Sequence, residues 1–130
     1  MQATDFIIGG KYTISEDIYC IIQSKQPIEG AFVNIIEENE ITIVMEQSRA
    51  THYIPSHEIY EIDRNWKIIR FDMELPFGLI GFLATISKAL AESEIAIFVI
   101  SAFSTDHILI KVDQIDKTMK VLNNLGMIKS

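Results

Sequence analysis

Cysteine is almost absent from this chain: one thiol, Cys20, in 130 residues. A single cysteine excludes an internal disulfide and any thiolate-rich zinc site, and it fits a reducing compartment. Long apolar runs are missing too. The longest, residues 95–100, is strand-sized, far short of the ~18 residues of a membrane span. Residues 1–5 have neither the basic start nor the apolar centre of a secretion signal. The expected location is the cytoplasm. Basic side chains are scarce in one half only: residues 1–63 carry 3 basic and 11 acidic groups, residues 64–130 carry 8 and 7. The net charge of -7 is a poor match for phosphate backbones, so neither nucleic acid nor a membrane is expected as a partner. Neither glycine pair is followed by the Lys-Ser/Thr of a phosphate loop.

What is present is a core. Apolar residues make up 48% of the chain, enough for one domain or two very small ones. The second half has the clearer pattern. Residues 66–73 alternate as a strand does, and Pro76 and Gly78 break it. Leu79, Phe82, Leu83, Ile86 and Leu90 then recur at helical spacing, which predicts a helix over 78–93. Residues 95–100 are short, apolar and rich in β-branched side chains, the composition of a central strand covered on both faces. A turn at Ser104, Thr105 and Asp106 leads into a strand at 107–112, antiparallel to the last. Ile115, Met119, Leu122 and Leu125 mark a second amphipathic helix, and Gly126 ends it.

The first half is β-rich. Strands are expected at 11–14, 17–22, 31–36 and 41–45, with a short helix within the linking residues 46–63. Two amphipathic helices on one side of an antiparallel sheet predict an α+β class, the ferredoxin-like βαββαβ sandwich. Residues 127–130 are barely long enough for its last strand. A strand from the N-terminal segment is expected in that position.

The residues with chemistry to offer gather in two runs. Pro76, Phe77, Gly78, Leu79, Ile80 and Gly81 precede a helix, where bare amides favour an anion. Gly81 inside a helix costs about 1 kcal/mol relative to alanine, so either a packed strand or a ligand should come close to it. Ser101, Ser104, Thr105 and Asp106 form the hairpin end. Asp106 either caps its own turn or meets an ammonium or guanidinium group. The serines and threonine satisfy strand-end amides or bind a carboxylate, and Phe103 reads as core or interface. Opposite charges across a hollow suit a zwitterion such as an amino acid.

No catalytic constellation is predicted. Ser104, Asp106 and His107 have the residue types of a hydrolase triad, but neighbours on a strand face opposite ways. His52, His57 and Glu58 match no metal spacing, and no cofactor motif occurs. Cys20 sits within a strand pattern and reads as buried and inert.

At the run LPFGLIGFLATISKALAESEIAIFVISAFSTDHILIK, residues 75–111, the chain resembles ACT domains. Specifically, it is similar to small tandem-ACT proteins related to the regulatory region of aspartate kinases and to the cytosolic arginine sensor of animals. The run IIEENEITIVM, residues 35–45, is similar to the first ACT-like unit of such proteins. The resemblance implies an ACT-like half over 1–63 with a truncated helix, and an ACT domain over 64–130. It implies a non-catalytic regulatory or sensory module with effectors bound where ACT units meet. The loop over 75–81 would cup the effector, with the turn at 104–106 beside it. A homodimer or higher homo-oligomer is expected. The rival expectation is an oligomerisation module that binds no ligand.

Overall fold

A computed structural model of the chain describes residues 1–56 and 58–130. It divides into two compact units, Met1–Ser15 with Lys67–Ser130, and Glu16–Trp66.

The first unit is built on a sheet whose strand order is β6-β7-β5-β1-β8. These strands are β1 (Lys11–Ile14), the last part of β5 (Ile59–Phe71), β6 (Phe98–Ser101), β7 (Asp106–Lys111) and β8 (Ile128–Lys129). Three helices accompany them: α1 (Thr4–Ile7), α3 (Phe82–Glu92) and α4 (Ile115–Asn124). Period-two alternation sends Ile69 and Phe71 of β5, and Ile108 and Ile110 of β7, to one face. There they meet Phe82, Ile86 and Leu90 of α3 and Leu122 of α4, all buried in one cluster. Phe71 and Phe82 stack edge to face, with ring centroids 5.1 Å apart. β1 lies antiparallel beside β5, Tyr12 opposite Phe71. The Tyr12 ring is fully buried, and its hydroxyl donates to Asn123 Oδ1 at 2.8 Å. The class is α+β, of the ferredoxin-like kind.

Several expectations are corrected here. The strand at 95–100 is not central: β6 starts at Phe98 and pairs with β7 alone. Its apolar composition does not distinguish an edge from an interior position. The helix expected from Gly78 starts at Phe82, because Gly81 takes φ +91° and cannot continue it. The four-residue α1 escaped notice, being too short to show a period. β5 begins at Ile59, well before Trp66. The closing strand does form, as two residues parallel to β1.

Both long helices end in the same way. After α4, the Gly126 amide donates to the Asn123 carbonyl at 3.0 Å and the Met127 amide to the Leu122 carbonyl at 3.1 Å. After α3, the Glu94 amide donates to Ala91 at 2.9 Å and the Ile95 amide to Leu90 at 3.0 Å. Each is a Schellman motif with its turning residue in the left-handed region. Gly126 takes φ +100° without a side-chain penalty. Glu94 takes φ +59° against a cost of roughly 1–2 kcal/mol for an L side chain.

The second unit is antiparallel. Its strand order is β3-β4-β2-β5, from β3 (Val33–Ile36), β4 (Ile41–Glu46), β2 (Tyr19–Ser24) and the first part of β5. α2 (Gln47–Ala50) is a single turn, within the linking residues where a short helix was expected. Its core holds Cys20, Ile22, Ile28, Ile43, Met45 and Ala50. A bulge falls where Tyr19 pairs with Trp66 but Ile21 with Asp63. Asn65 absorbs it at φ +71°. Gln47 holds Asn65 there, accepting its backbone N–H at 2.8 Å and donating to Oδ1 at 3.2 Å.

Two substitutions test this account. A Cβ on Gly10 would collide with the Phe6 carbonyl oxygen and stand 2.8 Å from Met73 Cε. Gly10→Ala is therefore expected to lower the unfolding free energy by roughly 1–3 kcal/mol. An unchanged urea midpoint would show that the turn from α1 into β1 does not need this close pass. Glu94→Gly should do the opposite and raise stability by about 1 kcal/mol. A lower melting temperature for that variant would refute the capping argument.

Candidate functional site

The loop over residues 75–81 leaves the sheet at the end of β5. Its position is set by hydrogen bonds to the β6–β7 hairpin. The Leu75 amide donates to the Ser104 carbonyl at 2.6 Å. The buried Thr105 hydroxyl donates to the Phe71 carbonyl at 2.7 Å. Ala102 N–H closes the hairpin on the Thr105 carbonyl at 2.9 Å. Within the loop, the Leu79 amide reaches the Pro76 carbonyl at 3.0 Å, and Gly81 then swings to positive φ. Its carbonyl accepts both the amide and the hydroxyl of Thr85, at 3.0 and 2.9 Å. α3 opens without a side-chain cap on its first amides.

These constraints enclose a cavity of about 280 Å³. Three segments line it: the loop, the first turn of α3, and the hairpin end. Of the residues singled out in the sequence, Pro76, Phe77, Leu79, Gly81, Ser101, Thr105 and Asp106 line it. Gly78, Ile80 and Ser104 are not among the lining residues. Ser104 contributes instead the carbonyl that holds Leu75. Leu83 and Ala84, on the first turn of α3, also line the cavity; their place follows from a helix start at Phe82, four residues after the Gly78 start that the spacing predicts.

Gly81 has a different reason from the one expected. A Cβ there would meet only Ala3 Cβ, at 3.9 Å, so no close neighbour demands a glycine. The backbone conformation does. Thr105 also has a defined structural task, since its hydroxyl satisfies a core carbonyl. Phe103 is neither core nor hidden. It is 79% exposed beside Phe77 at 77%, and the two rings meet edge to face at 4.7 Å. Both line the cavity and form an apolar rim to it; Ile80, on the same loop, is 85% exposed.

Asp106 is the one ionisable residue among those lining the cavity. It begins β7 opposite Ser101 and is half-buried. The cavity thus has a carboxylate on one wall and the positive end of a helix on another. His107, next along the strand, is not a lining residue. Burial first of all pushes its imidazole below the usual range, the nearby Arg70 charge adds to this, and the Ile100 backbone and Asp106 oppose it.

Elsewhere, the described residues contain no cluster of three or more potential metal ligands. His57 lies outside the described residues. Glu58 pairs with Lys25 at 3.7 Å across exposed side chains. The Cys20 thiol is buried and directed at the Met45 carbonyl at 3.7 Å. Burial pushes its pKa up, which suppresses the reactive thiolate. No described helix is long and apolar enough to cross a membrane.

The model of the ACT domain matches residues 61–124. No curated protein matches the sequence. Among solved structures, the Agobacterium tumefaciens protein Atu0741 superposes with a TM-score of 0.77 at 25% identity, covering 94% of this chain and 92% of that one. A Vibrio cholerae protein of unknown function, VC0802, reaches 0.73 at 17% identity, covering 91% of each. The ligand-free regulatory subunit of aspartate kinase from Thermus thermophilus reaches 0.64 at 10% identity, covering 92% of this chain and 98% of that one. Likeness at such low identity concerns the fold. Residues 61–124, which carry most of the sheet and the paired helices of the first unit, match the ACT domain.

Proposed function

We propose that this chain is a non-catalytic regulatory module that binds a free amino acid, or a small metabolite of the same zwitterionic kind, in the cavity at Asp106. One observation carries the reading: Asp106 and the uncapped first turn of α3 line the same hollow. The ligand's carboxylate would meet the helix amides, an arrangement favoured by the helix dipole. Its cationic end would meet Asp106, through a charge-assisted hydrogen bond. The ACT domain match over residues 61–124 and a structural neighbour that is a regulatory subunit support regulation over catalysis. The cavity mouth is rimmed by exposed rings. A second copy of the chain would complete it, making the site a junction between ACT domains in a homodimer.

Isothermal calorimetry against the twenty common amino acids tests this. At least one should release heat, and Asp106→Asn should weaken that ligand by about ten- to a hundredfold. Silence from all twenty, or indifference to Asp106→Asn, would remove the proposal.

A second reading rests on the rim itself. Phe77 and Phe103 are each more than three-quarters exposed and in contact, and clustered exposed apolar side chains mark interaction surfaces. In that case the chain assembles without any effector. Light scattering separates the two readings. A mass that changes with the calorimetric ligand favours sensing. A dimer that Phe77→Ser with Phe103→Ser dissociates, and no amino acid alters, favours assembly alone.

A further inference from the structure

β3 lies at one end of its sheet and, among the described residues, pairs with β4 alone. Its other side is an open edge. Edge strands are normally blunted by lysine, proline, a bulge or short length. β3 has none of the first three: Val33, Asn34, Ile35 and Ile36 run in unbroken register against Val44, Ile43, Thr42 and Ile41. Ile36 is 68% exposed, although it stands opposite the buried Ile41.

The hairpin turn fixes which backbone groups face outward. The Glu37 amide donates to the Glu40 carbonyl at 3.0 Å, so those two residues form a hydrogen-bonded pair. Bonded and non-bonded pairs alternate along an antiparallel ladder. Ile35 with Thr42 and Val33 with Val44 are then bonded pairs, and Asn34 and Ile36 turn their N–H and C=O groups away from β4. Asn34 also ties the strand to the preceding loop. Its carboxamide accepts the Ile28 amide and donates to the Ile28 carbonyl, both at 2.9 Å. The edge is held in shape before anything meets it.

We propose that this edge docks an extended segment of a partner protein, added as a further antiparallel strand, with β-branched residues at its centre and lysine or arginine at its ends. The docking is independent of the cavity at Asp106.

Charge selects that partner. Residues 29–40 contain Glu29, Glu37, Glu38 and Glu40 and no basic side chain. Glu29 stands before β3 and Glu37 and Glu38 after it, all three exposed. Glu40 accepts the Gln23 side-chain amide at 3.1 Å. The cation at the Glu29 end, Arg49, reaches the Gly30 carbonyl at 3.4 Å and is paired with Glu46 at 2.7 Å. A second copy pairing antiparallel through β3 would bring each copy's Glu37 and Glu38 toward the other's Glu29. Like charges so placed oppose the pairing. A segment with basic ends instead meets carboxylates at both ends of β3. Its residue opposite Ile36 takes that side chain out of water.

The test uses the full chain and two synthetic peptides, KRVTVTVRK and EEVTVTVEE, with amide NMR and hydrogen exchange as readouts. The basic peptide should shift the Asn34 and Ile36 amides with saturation and slow their exchange about tenfold or more. The acidic peptide should bind about tenfold more weakly, and added salt should weaken the basic one. Ile36→Pro removes one outward N–H at an edge, where proline is tolerated. It should reduce affinity about tenfold or more while the Val33 and Ile35 amides stay protected. Glu37→Lys with Glu38→Lys leaves every backbone donor in place and should reverse the preference between the peptides. Any of four results would overturn the proposal. These are no saturable shift at Asn34 and Ile36, equal binding of the two peptides, and a peptide preference untouched by the charge reversal. The fourth is a dimer of the free chain that Ile36→Pro dissociates, since the edge would then belong to a second copy.

Discussion

Two hydrogen bonds at the end of β5 determine what the rest of the first unit can do. Thr105 Oγ1 donates to the Phe71 carbonyl, and the Leu75 amide to the Ser104 carbonyl. Phe71 is itself locked by the core, edge-on to Phe82 at the start of α3. The hairpin end, the exit of β5 and the first residue of the helix are therefore held as one assembly. Thr105 is almost fully buried, so its hydroxyl bond lies in a low-dielectric setting where leaving that hydroxyl unpaired costs about 1–3 kcal/mol; the Phe71 carbonyl also accepts the Met73 amide, at 2.9 Å. The cavity is what remains between three segments that cannot separate independently. Its opposed charges follow from where those segments start: Asp106 opens a strand and Phe82 opens a helix.

The same unit shows how a fold tolerates a displaced strand. The position beside β5 is filled by β1, from the beginning of the chain, while the closing segment supplies only β8. What matters to the sheet is a strand with a buried face and partners for its amides, not its place in the sequence. Tyr12 provides the buried face and reaches across to Asn123 on α4. The close turn at Gly10 brings α1 back over this edge, where Ile7 joins the core.

Periodicity made the long elements legible. Phe82, Ile86 and Leu90 recur at helical spacing, and α4 repeats the pattern, so both helices could be read directly. The β6–β7 hairpin followed from its turn residues. The edge position of β6 could not be read, since Phe98, Val99 and Ile100 would look the same in the middle of a sheet. The start of α3 was misplaced because glycine is ambiguous. Gly81 reads equally as an interior residue under pressure from a neighbour and as a backbone pivot. Only its φ angle separates the two. The cavity was legible in its two anchor segments, because loop glycines and a turn aspartate carry chemical signatures. Leu83 and Ala84 carry none, being ordinary helix residues that line the cavity by geometry alone.

Regulation by such a cavity has an energetic condition. A ligand shifts an equilibrium only by its difference in affinity for two states. Under the proposed reading, contacts with Asp106 and the helix amides would fix orientation, but both groups are in place without the ligand, so alone they would bind without discriminating. The discriminating part is the rim. Phe77 and Phe103 stand in water in the single chain, so any state that covers them gains in proportion to the apolar area removed, about 2.5 kcal/mol for each 100 Å². A zwitterion that neutralises the hollow beneath lowers the cost of enclosing Asp106, because a buried unpaired carboxylate opposes closure and a paired one does not. Under the proposed reading, occupancy and coverage are therefore coupled through that one carboxylate, and the apolar rim supplies most of the free energy that the ligand releases for use.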